Sequence, residues 1–202
     1  MAALGRPREF DRDAALEAAM LLFWRKGFAA ASMNELCEAM GVRSPSLYAA
    51  FGSKEALYLE AVEHYARIQG PAVWDKLAEG ASARASIENL LIAWAENLPK
   101  SRTTPAGCMA MLAAVGDEWP AAIVRVMRKL RLDMLGKLRS RLETAVANGE
   151  LPASTDIDGL SRFYLGVVQG MAIQAKDGAT AAELRGAAAA AMLAWPAQPE
   201  RS

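Results

Sequence analysis

Apolar side chains recur every three or four positions along almost the whole chain, and no run alternates with a period of two. Helices and no sheet are therefore expected. Ala is abundant while Val, Ile and Thr are sparse, which favours the same state. Asp11 can cap a first helix running to Lys26 and stopping at Gly27, with Leu16, Met20 and Phe23 on one face and Ala19 and Leu22 beside them. Ser32 begins a second helix, Glu35 follows at capping-box spacing, and Gly41 ends it. Ser44-Pro45 open a short third helix that finishes near Phe51-Gly52. Ser53 caps a long fourth helix through Tyr65 toward Gly70-Pro71, where proline should end or kink it. Further helices are expected at roughly 82–98, 106–117, 120–148, 156–176 and 180–195, separated by Pro99, Pro105, Pro120, Pro152 and Gly178. The expected fold is all-α, about nine helices, with three short ones in front of longer ones.

Composition narrows the function. Of 202 residues 53% are apolar, enough for one medium domain or a small module joined to a larger one, and too many for general disorder. The 23 Lys and Arg balance 23 Asp and Glu. That balance excludes a protein that coats nucleic acid or anionic membrane by bulk attraction, but leaves local basic patches open. Residues 1–54 hold seven basic and six acidic side chains, with bases at Arg6, Arg8, Arg43 and Lys54. The N-terminus carries no apolar leader, and no apolar run approaches the ~20 residues that span a bilayer. A cytoplasmic protein without a membrane partner is expected, and Cys37 and Cys108 fit a reducing compartment. With His64 the only histidine, no histidine metal cluster or Ser-His-Asp triad can form within one chain. No G-x-G-x-x-G or P-loop is present, so no cofactor, metal or enzyme activity is expected.

Segment 32–51 joins two short capped helices through Gly41-Val42-Arg43, the layout of a helix-turn-helix whose second helix enters the major groove N-terminus first. Leu36, Met40, Val42 and Leu47 can fix the angle between the two helices, and Arg43, Ser44, Ser46 and Tyr48 place donors at the leading end. Many helical hairpins share this layout, and the residues alone leave both readings open. The chain also resembles the TetR/AcrR family of bacterial transcriptional regulators. The resemblance rests on Phe10-Asp11 through Phe23, Gly27-Phe28, Ser32-Met33 before Leu36, and Met40-Gly41-Val42. Its strongest stretch, Ser46-Leu47-Tyr48-Ala49-Ala50-Phe51-Gly52-Ser53-Lys54-Glu55-Ala56-Leu57, matches the family signature LYxxFxxKExL.

The resemblance implies a DNA-binding domain over 1–53 and a helical effector-binding and dimerisation domain over 54–202. It places Ser44, Pro45, Ser46, Tyr48, Ala49 and Ala50 on DNA, Lys54 on a phosphate, and Ser32 and Met33 against the backbone. Ala49 and Ala50 stand where relatives often carry polar side chains. Base reading then leans on Arg43, Ser44, Ser46 and Tyr48, with alanine methyls available to thymine methyls. Gly5-Arg6-Pro7-Arg8 reads either as an arm that puts Arg6 and Arg8 in a narrow minor groove or as a solvated tail.

The remaining residues exceed what DNA reading needs. Leu160, Tyr164, Val167, Val168 and Met171, with Leu184, Ala188 and Met192, are expected at a homodimer interface, with Gly166 and Gly170 allowing close helix approach. Trp94, Cys108, Met109, Leu112, Trp119, Met127, Met134, Phe163, Gln174 and Lys176 are candidates for an effector pocket, beside the alternative of ordinary core. Cys108 lies near a helix start, where the dipole can lower a thiol pKa. Gly107-Cys108 with Gln169-Gly170 and Lys176 resembles a branch of the family in which some members sense oxidants or electrophiles, which would pair Lys176 with a Cys108 thiolate. The seven bases of 120–142 (Arg125, Arg128, Lys129, Arg131, Lys137, Arg139, Arg141) read as a solvated helix face or an acid-binding patch. The expected function is a dimeric repressor released from a palindromic double-stranded operator by a small molecule or by modification of Cys108. The rivals are a small helical enzyme with a Cys108 nucleophile and a dimeric interaction protein without DNA binding.

Overall fold

A computed structural model describes residues 11–113 and 118–196, and these divide into two compact units between His64 and Tyr65. Among the described residues there are ten helices and no strand, one helix more than expected because a single turn, α5 (Lys76–Glu79), follows the fourth.

The first unit consists of α1 (Arg12–Ala30), α2 (Met33–Met40), α3 (Ser44–Phe51) and the opening of α4 (Lys54–Trp74). Asp11 caps α1 by accepting from the backbone N–H groups of Asp13 and Ala14. Gly27 breaks the helix where expected: at φ 80° and ψ 171° it leaves helical geometry, a backbone that glycine tolerates, and the chain resumes helical form through Ala30 beyond the kink. Leu16, Met20, Phe23, Leu36, Leu47, Phe51, Leu57 and Tyr58 are buried together as the unit's core, each contributing about 1.5–3 kcal/mol by leaving water. Phe23, Phe28 and Tyr58 form an aromatic cluster, with Tyr58 edge-on to both phenylalanines at 5.0 and 5.3 Å. Leu57, Tyr58 and Ala61 of α4 are part of this core, which is why the division falls at 64/65 rather than at the expected 53/54.

The second unit holds the rest of α4, α5, α6 (Ala83–Asn97), α7 (Met109–Leu112), α8 (Ala121–Ala147), α9 (Ile157–Lys176) and α10 (Ala181–Met192). Here α10 packs on α6 and α9, and α8 packs on α9. Pro71 does not end α4, which runs on to Trp74, and the Trp74 ring then packs edge-on against Trp94 at 5.9 Å. Among the described residues, the helix expected at 106–117 is a single turn. Gly107 at φ 80° precedes it, and Ala113 is extended, its carbonyl taken by the Arg131 guanidinium at 2.9 Å.

Tyr164, Val168, Met171, Leu184, Ala188 and Met192 are buried by their own chain, so the face expected to meet a second subunit is not formed by them. Leu160 and Val167 are half-buried. The apolar side chains these two helices and the residue after α10 turn outward are Phe163, Ile173 and Leu193, exposed by 41, 54 and 87%. The spacing of α9 permitted both assignments because apolar residues surround much of its circumference. Three of the seven bases of α8 are ion-paired: Lys129 with Asp133 at 2.6 Å, Arg139 with Glu143 at 2.9 Å, and Arg141 with Glu150 at 3.5 Å. This is the pattern of a solvated face.

Candidate nucleic-acid interface

The turn between α2 and α3 is closed by the backbone. Gly41 is left-handed at φ 64°, its N–H donates to Glu38, and the Val42 N–H donates to Cys37 at 3.0 Å. That pair of bonds terminates a helix and reverses the chain in a fixed direction. At the other end of α2, Ser32 and Glu35 form the reciprocal capping box, with the Glu35 carboxylate also paired to Lys26 of α1. The Lys26 ammonium, and then the Ser32 N–H and hydroxyl, hold the Glu35 carboxyl at about 2, well below the ordinary carboxylate range.

Leu47 and Phe51 are the two side chains that α3 buries. Arg43, Ser44, Pro45, Ser46, Tyr48 and Ala49 are all exposed, with Tyr48 at 48%, and Ala50 is half-buried. Arg43 stands at the N-cap with no side-chain cap bond, and proline occupies the first turn. The amide groups there have no acceptor within the helix, so this end presents oriented N–H groups, two hydroxyls, a guanidinium and a phenol to solvent. Ser32 is exposed and Met33 half-buried at the start of α2. The Ser32 hydroxyl already donates to Glu35 at 2.9 Å and accepts from the Glu35 N–H, which leaves the amides of Met33 and Asn34 as the donors at that end. Arg6 and Arg8 lie outside the described residues.

Lys54 is turned inward. Its Nζ sits 4.6 Å over the Phe28 ring and donates to the Ala29 carbonyl at 3.4 Å, and partial burial lowers its pKa. An ammonium has three donors, so this seat leaves capacity for a phosphate. Sequence reasoning missed Arg12, which contacts Ala50, Phe51 and Glu60. No local motif marks it, because its partners lie far along the chain.

The effector candidates separate into two sets. Trp94, Cys108, Met109 and Met127 are buried, whereas Phe163, Gln174 and Lys176 are exposed. Phe163 and Gln174 therefore do not line the interior. Leu112, Trp119 and Met134 are half-buried. The Trp94 indole N–H is buried without a hydrogen-bond partner among the described residues. A groove of about 720 Å³ between α5 and α8 is lined by Trp74, Leu77, Leu132, Lys137 and Arg141 among others, and by none of the candidates.

Cys108 is buried, which agrees with the core reading of this residue. Its thiol accepts from the Tyr65 hydroxyl at 3.3 Å. Complete burial pushes its pKa up, against the opposing hydrogen bonds from Tyr65 and the amides of Met111 and Ala110. A one-turn helix supplies too little dipole to reverse that penalty. Lys176 is near the loop, since a Cβ on Gly107 would lie 3.8 Å from its Cβ. No group of three His, Cys, Asp or Glu able to hold a metal occurs among the described residues, and no described helix is long and apolar enough to cross a membrane.

Comparison with known proteins agrees with this geometry. Residues 15–61 match the family of bacterial regulatory proteins, tetR family. The chain is 34% identical over 194 residues to the HTH-type transcriptional repressor ComR of Escherichia coli K12, covering 95% of this chain and 92% of that protein. It is 48% identical over 61 residues to the HTH-type transcriptional repressor BdcR of the same organism, covering 30% of this chain and 31% of that one. Among solved structures, a cysteine mutant of the TetR family transcriptional regulator CifR complexed with 26bp double-strand operator DNA is 40% identical. It superposes with a TM-score of 0.89 over 95% of this chain and 100% of the other. With its helix-turn-helix exposed and its likeness to ComR running nearly end to end, this chain belongs to the TetR family of bacterial transcriptional regulators.

Proposed function

We propose that the chain is a homodimeric repressor that binds a palindromic operator and is released by an effector held in the second unit. The observation that carries the DNA reading is the exposed N-terminal end of α3, seated on buried Leu47 and Phe51. Arg43, Ser44, Ser46 and Tyr48 reach base edges and phosphates there, while Pro45, Ala49 and Ala50 give apolar contact. Lys54 and the first turn of α2 at Ser32 and Met33 hold phosphates, and Arg6 and Arg8 enter the minor groove. Phe163, Val167, Ile173 and Leu193 form the subunit-facing surface, and two-fold symmetry sets the two recognition helices about 34–36 Å apart.

The buried, unpartnered Trp94 indole N–H supports an interior effector site for a molecule that carries a hydrogen-bond acceptor. Burial of Cys108 and its raised pKa favour that route over thiol modification. Selection of bound duplexes from a random pool tests the DNA reading: a symmetric motif supports it, and no enrichment at moderate salt removes it. Cys108→Ser tests the route of release: response to an electrophile that survives this substitution rules out the thiol.

A further inference from the structure

Arg12 is the first residue of α1, yet its guanidinium serves α3 and α4. One Nη donates to the Ala50 carbonyl at 3.4 Å and to a Glu60 carboxylate oxygen at 2.7 Å, and the guanidinium carbon stands 4.4 Å from the centroid of the Phe51 ring. Ala50 and Phe51 form the last turn of the recognition helix, which has no basic residue of its own there. The carbonyl end of a helix attracts positive charge, so Arg12 supplies from outside what the sequence of α3 lacks. A like arrangement holds Lys54. Lys54, at the start of α4, lies on Phe28 and the Ala29 carbonyl at the end of α1, which also lacks a basic residue in its last turn.

We propose that Arg12 is a positioning residue for operator reading: it fixes the tail of α3 against α1 and α4 and so aims the donors at the head, without touching DNA. The reason is leverage. Helix α3 has eight residues and buries two side chains, Leu47 and Phe51, which leaves its tilt open to whatever holds its ends. Its ends are seven helical rises apart, about 10 Å at 1.5 Å per residue. A tilt of roughly 3° then moves the head by about 0.5 Å, the difference between a good hydrogen bond and a poor one. Arg12 and Glu60 are 47 and 36% exposed, and such a pair adds little stability. What the contact supplies is direction. Glu60 also neutralises the guanidinium, which makes Arg12 a poor phosphate contact.

This inference rests on the operator-binding reading, and the test separates the two. The wild-type protein first selects a duplex from a random pool, and failure at that stage is a failure of the operator reading itself. Arg12→Ala is then titrated on the selected duplex and on a random one across a salt series. The selected duplex is expected to lose about tenfold in affinity, the random duplex to be unaffected, and the salt slope to keep its wild-type value. Arg12→Lys, which keeps a cation at the helix end, is expected to recover most of the loss. Glu60→Gln is expected to lower the selected-to-random ratio by about threefold. Wild-type affinity in Arg12→Ala overturns the proposal. So does an equal loss on both duplexes with the slope reduced by about one, which would make Arg12 a phosphate ligand. Should Arg12→Ala fail to fold, Glu60→Gln decides: an unchanged selected-to-random ratio overturns the proposal.

Discussion

The two units solve opposite problems. The first keeps polar side chains on the outside and holds them in one direction: Leu47 and Phe51 anchor α3, Gly41 closes the turn, and Arg43, Ser44, Ser46 and Tyr48 stay in solvent. The second buries its chemistry. Cys108, Tyr65 and Trp94 are all inside, and the titrating groups among them are driven toward their neutral forms. A surface that must meet a charged duplex at once needs preorganised, hydrated donors, whereas a site that responds to a small molecule can keep its polar groups covered until the ligand arrives.

The largest effect should come from unseating α3. Leu47→Ala removes a fully buried side chain and is expected to cost about 2–5 kcal/mol of the first unit's stability, read by urea unfolding, with loss of DNA binding. Next is the head of the helix. Arg43→Ala should leave the fold intact and cost about 1–3 kcal/mol of operator affinity, with relaxed choice at one base position in a repeated selection. A third change bears on the second unit's outward face: Ile173→Glu puts a charge on an exposed apolar position and should convert dimer to monomer in sedimentation equilibrium, with little change in melting temperature. Retention of the dimer would move the interface elsewhere.

Smaller effects sharpen the electrostatic contrast. Glu35 is held at about 2 by Lys26 and Ser32, below its ordinary value of 4.5. A depressed carboxyl stabilises the fold fully above its unfolded pKa and loses that contribution as pH falls through the folded one. The melting-temperature difference between wild type and Glu35→Gln should therefore be constant above about pH 5 and shrink between about pH 4.5 and 2. The smallest expected effect is kinetic: an alkylating reagent should label half-buried Cys37 before Cys108 in the native protein.

Legibility in the sequence followed the range of the interaction. The capping box of Ser32 and Glu35, the turn at Gly41 and the proline at the start of α3 are set by neighbours within a few residues, and each could be read directly. Gly27 could be read as a break, but not the short helical stretch that resumes after it to Ala30, where Phe28 packs on Phe23 and Tyr58. The orientation of α9 could not be read, since α8 and α10, with smaller contacts from α7 and α6, decide which of its many apolar residues are covered. The choice between core and reactive thiol at Cys108 stayed open for a related reason. Proximity to a helix start is visible in sequence, but the burial that outweighs it is not. Arg12 has partners 38 and 48 residues away, and only the fold brings them together.

The central claim is that the exposed head of α3 reads a defined operator in the major groove. Hydroxyl-radical footprinting of the wild-type protein on a selected duplex tests it most directly. The account predicts two symmetric protected patches about 10–10.5 base pairs apart, with protection lost in Arg43→Ala at the same protein concentration. Protection that follows no symmetry, or that survives Arg43→Ala unchanged, would contradict it.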